Sequence, residues 1–171
     1  MKTYTATYTS PLGPIVIESD SQAITRLQFS NEQASAFSTA EEKAEDEAAI
    51  TIPIIAETIQ WLDDYFAGIR MENATTGKKE GCRIAVRQQG TAFQKRVWQA
   101  LFTIWYSQTK TYGEIARMVN CRSAQAVGQA VGANPIALII PCHRVIAAHG
   151  KLGGYAYGTD IKKQLLDLER L

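Results

Sequence analysis

The hydrophobic period of this chain changes from two residues to between three and four, and that change restricts the folds open to it. In the first thirty residues Tyr4, Ala6 and Tyr8 alternate with threonines, Pro11-Leu12-Gly13-Pro14 has turn composition, and Ile15-Val16-Ile17 follows. A second turn at Asp20-Ser21 leads to a run over Ala23–Phe29. Alternation sends one set of side chains to one face, so the segment predicts a three-stranded antiparallel meander. Beyond residue 50 the spacing is helical. Ile55, Ile59, Leu62 and Phe66 step by 4, 3 and 4 between Thr51 and Ala67, with Pro53 tolerable in the first turn and Gly68 able to end the helix.

Between these segments, residues 30–48 are polar and acidic and predict a loop with a solvated helical turn. Residues 70–90 lack any period, are rich in Lys, Gly, Thr and Gln, and read as a linker with Ile84-Ala85-Val86 as a short strand. A length of 171 residues allows one domain or two small ones. The expected division is 1–86, with its linker from about 70, and 87–171.

The second half reads as mostly helical. Thr91 with Gln94, and Thr111 with Glu114, have capping-box spacing ahead of apolar stripes: Phe93, Val97, Leu101 and Ile104, then Ile115, Met118 and Val119. After a break at Asn120-Cys121-Arg122, Ser123 can cap a helix to about Ala133, which makes a helix-turn-helix with its predecessor. That second helix is nearly without bulk: Ser123, Ala124, Ala126, Gly128, Ala130 and Gly132. Glycine inside a helix costs about 1 kcal/mol against alanine. Close helix packing is one reason to keep it, and close approach to a ligand is another. Asp160 is placed to cap a last helix with a stripe of Ile161, Leu165 and Leu168 beside Glu169.

Composition excludes several classes. With 46% hydrophobic and 20% charged residues the chain is neither disordered nor collagenous. No apolar stretch approaches the roughly 20 residues of a membrane helix, and the N-terminus does not resemble a signal peptide. Cys82, Cys121 and Cys142 form no CxxC pair, which disfavours a disulfide framework or a structural zinc and fits a reducing cytoplasm. Cys82 and Cys121 are expected to be structural. With only His143 and His149 available, no metal is expected. Charge is uneven: residues 1–86 carry 7 Lys and Arg against 13 Asp and Glu, residues 87–171 carry 11 against 4. A basic second half suits a polyanionic partner.

Cys142 follows the apolar run Ile136–Ile140 and Pro141, which by itself describes a small buried hydrophobe. Its neighbours give it a chemical alternative. A thiol of pKa about 8.5 is mostly protonated at neutral pH, and the cationic Arg144 and adjacent His143 could lower it. In extended backbone consecutive side chains diverge, so His143 would need a turn at Pro141 or a bridging water to take the thiol's proton. Glu169, Asp160 and Asp167 are the carboxylates that could orient the imidazole. Gly150, Gly153, Gly154 and Gly158, with Tyr155 and Tyr157 among them, could form a loop over a pocket.

Pro141-Cys142-His143-Arg144-Val145 resembles the 6-O-alkylguanine-DNA alkyltransferases, also called methylated-DNA–protein-cysteine methyltransferases. Gly90 to Gln94, Val97 to Leu101, Thr111 to Ala116, Ala126-Val127-Gly128, Gly132 to Pro135 and Gly153-Gly154-Tyr155 follow the family order, so residues 88–170 carry most of the likeness. The resemblance implies an α+β fold: a small antiparallel-sheet, ribonuclease-H-like N-terminal domain and a helical C-terminal domain with a winged-helix-like helix-turn-helix. It implies a single-turnover DNA-repair enzyme, an S-methyltransferase that moves an alkyl group irreversibly from the 6-oxygen of guanine, and from the 4-oxygen of thymine, to Cys142.

In that family pattern His143 takes the thiol's proton through water, Glu169 completes the relay, Asn134 supports the turn, and the Tyr112 phenol donates to the flipped base. The Val145 backbone and the Tyr155-Ala156 segment contact the base edge. Arg122, Ser123, Ala124, Gln125, Ala126 and Gly128 meet the minor groove. The implied partner is double-stranded DNA containing 6-O-alkylguanine, bound by a monomer in the cytoplasm or on a nucleoid, with no membrane partner and no cofactor. Three positions depart from the pattern: Gln125 stands for the usual arginine, Ala156 for a serine found in some members, and Ile104-Trp105-Tyr106-Ser107 for Ile-Pro-Tyr-Gly. The alternative reading is an alkyltransferase-like protein that grips lesions without accepting the group; such relatives replace the cysteine. A helix-turn-helix regulator would need a bulkier, basic recognition helix.

Overall fold

The computed structural model describes residues 2–30, 47–69 and 84–170. Most of the predicted acidic loop, most of the linker, and Cys82 lie outside the described residues. Strands β1 (Tyr4–Ser10), β2 (Gly13–Ser19) and β3 (Ile24–Phe29) form the expected antiparallel meander. Ala6 faces Ile17, and Ile17 faces Leu27, so the alternating apolar set falls on one buried face.

Helix α1 (Pro53–Phe66) lies on β1 and β2. Its buried stripe is Ile55, Thr58, Leu62 and Tyr65, with Ile54 beside it; Ile59 and Phe66 are only partly buried. The expected stripe therefore shares Ile55 and Leu62 and turns away from Phe66. Thr58 can sit inside because its hydroxyl donates to the Ile54 carbonyl at 2.7 Å.

The free edge of β3 is covered by two later segments. Ile24 N–H donates to the Ala85 carbonyl at 2.8 Å and Arg87 N–H to the Ile24 carbonyl at 2.9 Å, so the predicted strand at 84–86 is a single parallel bridge through Val86. Further along, Leu27 N–H donates to the Pro135 carbonyl and Ala137 N–H returns to the Leu27 carbonyl, at 3.0 and 2.7 Å. The chain just before Cys142 is thereby pinned to the N-terminal sheet.

Helices α2 (Ala92–Leu101), α3 (Tyr112–Met118) and α4 (Ala124–Gly132) follow. Thr91–Gln94 and Thr111–Glu114 both close reciprocal capping boxes, and the Ser123 hydroxyl accepts from Ala126 N–H at 3.1 Å. Asn120, at φ 54°, turns the chain between α3 and α4, and Cys121 N–H closes back on the Ala116 carbonyl at 2.8 Å. α2 packs on α4, with Trp98 Nε1–H donating to the Ala130 carbonyl at 2.8 Å. The two-residue strands β4 (Lys110–Thr111) and β5 (Val145–Ile146) pair in parallel beside them.

The last helix, α5 (Thr159–Glu169), is not capped by Asp160. Gly158 takes the cap position at φ 95°, which a side chain rarely adopts, and Asp160 is exposed in the first turn. The buried face is Lys162, Leu165, Leu166 and Glu169, with Ile161 and Leu168 partly covered. Its ends are a cation and an anion, and both point at the site. Among the described residues no helix is long and apolar enough to cross a membrane.

Candidate functional site

Ile136–Ile140 is neither strand nor helix but a buried hook. Leu138 sits in its bend at φ 66°, an unfavourable conformation for a branched residue. Asn134 holds the hook from inside: its Nδ2 donates to the carbonyls of Ile136 (3.3 Å) and Ile140 (2.9 Å), and its Oδ1 accepts from Ile136 N–H (3.0 Å). One short amide replaces the backbone partners that a non-repetitive buried segment would lack. Beyond Pro141 the chain enters a 3-10 turn, Cys142–Arg144, so Cys142 and His143 are not on opposite faces of an extended strand.

Cys142 is 5% exposed. Burial pushes its thiol pKa up, and hydrogen bonding to the Asn134 side chain, the nearby Tyr155 hydroxyl and the Lys162 charge only partly oppose this. The sequence-level expectation of a thiol lowered by its cationic neighbours is therefore corrected. Arg144 points away, donating Nε and Nη2 to Glu169 (2.8 and 3.0 Å) and Nη1 to the Ile104 carbonyl (2.8 Å). At neutral pH the thiol is therefore protonated.

His143 follows Cys142 in the same 3-10 turn. Fully buried, it holds Nε2 2.6 Å from Glu169 Oε1. A carboxylate only accepts, so the shared proton belongs to Nε2 and Nδ1 carries the lone pair. Nδ1 is buried and makes no hydrogen bond to the described residues. Burial lowers the His143 pKa, reinforced by the Arg144 and Lys162 charges and opposed by Glu169. Burial opposes ionisation of Glu169, but His143 and Arg144 outweigh it and hold the carboxyl at about 2. The choice left open among three carboxylates falls on Glu169; Asp167 pairs at the surface with Lys163 and Arg170.

On its other side Cys142 opens into a cavity of about 230 Å³ lined by Tyr112, Gly128, Val131, Gly132, Asn134 and the 154–157 segment. Tyr112 enters it from the first turn of α3, its hydroxyl 3.4 Å from the Gly154 carbonyl. Gly153, at φ 70°, lets the loop pass close to that ring: a Cβ there would stand 3.3 Å from Tyr112 Cε2 and from Ala147 N. The helical glycines answer the question left by the sequence. A Cβ at Gly132 would meet nothing within 4 Å, and one at Gly128 only the Tyr112 ring at 3.8 Å. Helix packing does not require either glycine; both border the cavity.

Of the other expected residues, Tyr155 and Ala156 line the cavity, while Val145 does not: it is fully buried in β5, paired with Lys110. Arg122, Ser123, Ala124 and Gln125 are exposed at the start of α4, with Ala126 and Gly128 half-buried behind them. Ser107, standing for the glycine of the usual turn, keeps a left-handed φ of 64° and donates its hydroxyl to the Glu169 carbonyl. The loop before Tyr112 thus retains a turn that suits glycine despite the substitution.

Two residues at the site escaped the sequence reading. Lys162 has no exposed surface, donates Nζ to the Gly154 carbonyl at 2.9 Å, and has its pKa pulled by burial to about 8. Tyr65, from α1, donates its hydroxyl to Glu169 Oε1 at 2.7 Å. Each resembled an ordinary helix residue, and a wrongly rotated stripe concealed both.

A buried cysteine, a histidine–carboxylate pair, a tyrosine-lined cavity and a helix of small residues at the cavity's rim, second of a helix-turn-helix pair, make up the site. Residues 92–171 match the family model described as 6-O-methylguanine DNA methyltransferase, DNA binding domain, and residues 3–74 the one described as its ribonuclease-like domain. The chain is 40% identical over 167 residues to a methylated-DNA–protein-cysteine methyltransferase of Methanosarcina acetivorans, covering 97% of each. A protein of that name from Mycobacterium leprae is 43% identical over 94% of this chain and 88% of its own. A crystal structure of Mycobacterium tuberculosis OGT in complex with DNA superposes with a TM-score of 0.77 at 37% identity, over 98% of this chain and 92% of that one. The chain belongs to the methylated-DNA–protein-cysteine methyltransferase family.

Proposed function

We propose that Cys142 is the acceptor in direct reversal of DNA alkylation, and that His143 is its base through Nδ1. DNA is the partner, and the reaction is group transfer to protein. The observation that carries the assignment is a buried thiol that lines a cavity and shares one tight turn with a histidine whose Nε2 is paired with Glu169 and whose Nδ1 has no partner among the described residues. The Sγ proton passes through a water to Nδ1, and the imidazolium is stabilised by Glu169. Sγ then attacks the alkyl carbon; the carbon–sulfur bond forms as the bond to the 6-oxygen of guanine breaks. The negative charge left on the base is neutralised by a proton donor, the Tyr112 phenol that lines the cavity.

The product is a thioether that water does not cleave, so each chain acts once. A base inside a duplex must be flipped to reach Cys142, at a cost of a few kcal/mol. The exposed start of α4 meets the minor groove, Gly128 and Gly132 clear its cavity side, and Gln125 fills the vacated space without an arginine's charge. The same chemistry extends to the 4-oxygen of alkylated thymine. We place the protein in the cytoplasm or on the nucleoid, as a monomer.

The test is intact-protein mass spectrometry after mixing with a duplex containing 6-O-methylguanine. One methylene's mass should be gained per chain and should be absent in Cys142→Ala. No gain with DNA binding retained would reject transfer and leave a lesion-binding protein.

A further inference from the structure

We propose that Tyr65 is a positioning residue of the proton relay: its hydroxyl fixes the Glu169 carboxylate and keeps His143 neutral, with Nδ1 as the accepting nitrogen. The proposal rests on the assignment of Cys142 and His143 above. It reaches from the N-terminal half to a group 104 residues away.

The geometry is specific. Tyr65 is 1% exposed, and its ring is stacked on Trp61 at 5.4 Å and meets Phe66 and Tyr106 edge-on at 5.2 and 6.3 Å. This packing leaves the hydroxyl little freedom. It lies 2.7 Å from Glu169 Oε1 and 3.4 Å from His143 Nε2. Since Nε2 already donates to Oε1, the phenolic proton goes to the carboxylate as well. Burial and the Glu169 charge push the Tyr65 pKa well above its usual value, so the phenol remains a neutral donor.

The electrical consequence follows from the other groups present. His143 faces Glu169 and Lys162 from α5, Tyr65 from α1, and Arg144 and Cys142 from its own turn. Glu169 alone favours the imidazolium. Each hydrogen bond donated to its carboxylate spreads that charge and weakens the pull. Arg144 supplies two such bonds and Tyr65 the third besides that of His143. A base already protonated cannot take the thiol's proton, so weakening the pull preserves the acceptor.

Tyr65→Phe in the full chain is the test. It keeps the ring and leaves Glu169 with its His143 and Arg144 partners. The chain has two histidines, so nitrogen-15 labelling of histidine resolves both rings, with the largely exposed His149 as internal control. In the unsubstituted protein His143 should show the Nε2–H tautomer and a midpoint below the ordinary histidine value. In Tyr65→Phe the midpoint should rise. Transfer from 6-O-methylguanine duplex should slow by about tenfold below that midpoint and by less above it.

A role confined to packing would lower the melting temperature and leave the His143 midpoint in place; that result overturns the proposal whatever happens to the rate. Finding the Nδ1–H tautomer in the unsubstituted protein also overturns it, even if the variant fails to fold. The titration is read without DNA. Absence of transfer in the unsubstituted protein would therefore reject the Cys142 reading alone, while the titration still decides the role of Tyr65.

Discussion

On one side of Cys142, Tyr65, His143 and Arg144 place four hydrogen bonds on a single carboxylate. On the other, Tyr112, Gly128, Val131, Gly132 and the 154–157 loop leave a cavity of about 230 Å³. The difference is one of what each region has to hold constant. A buried charge is tolerated only when its lone pairs are filled, and here filling them also fixes a tautomer. A receiving cavity has no such debt to satisfy, and small residues keep it open. Groups behind the thiol should therefore tolerate substitution poorly, and groups in front should alter reaction with DNA more than stability.

The largest expected effect lies behind. Glu169→Gln should slow methyl transfer by about 10²–10³-fold, as loss of a base's partner does, measured in single-turnover reactions. It should also change acid unfolding. The Glu169 carboxyl is held at about 2 against 4.5 unfolded, so its contribution is full above pH 4.5 and is lost as pH falls toward 2. The shift corresponds to about 3 kcal/mol, and urea midpoints in Glu169→Gln should lose that acid-side slope.

Next comes the hook. Asn134→Ala removes three hydrogen bonds from a buried segment already strained at Leu138. It should cost about 3 kcal/mol or more in denaturant unfolding; a near-neutral result would mean the hook holds itself.

In front the sign should reverse. Gly132→Ala meets no neighbour within 4 Å, so helix propensity should raise stability by about 0.5–1 kcal/mol, while transfer falls a few-fold because the cavity rim gains a methyl group. Equal loss of both would place Gly132 with the rear cluster. Smallest is Gln125→Arg at the exposed start of α4. Melting should be unchanged, and transfer should quicken a few-fold. The salt dependence of DNA binding should steepen by about one ion if the new guanidinium reaches a phosphate.

The polar rear was the less legible of the two regions in the sequence. His143 and Arg144 stand beside the cysteine, and the ordered family segments point to Glu169. Residue spacing alone left Asp160 and Asp167 as rivals, and Tyr65 was hidden between Asp64 and Phe66 on a helix whose buried stripe was placed one step away. The front was more readable, because a helix kept so small is already a statement about space. Its purpose was not, since packing against another helix and approach of a ligand leave the same composition.

Local interactions wrote themselves into the sequence: the alternation of β1 to β3, the reciprocal caps at Thr91 and Thr111, the Ser123 cap and the turn at Asn120 all depend on partners a few residues away. The tertiary structure alone decided the covering of the β3 edge by Pro135–Ala137, the burial that raises the Cys142 pKa and the reach of Tyr65 across 104 residues. Periodicity and capping follow from backbone geometry repeated within one element. Which polar atom meets which across the core depends on how whole elements are rotated and packed, and a single turn of α1 by one residue's angle would have put a different side chain against Glu169.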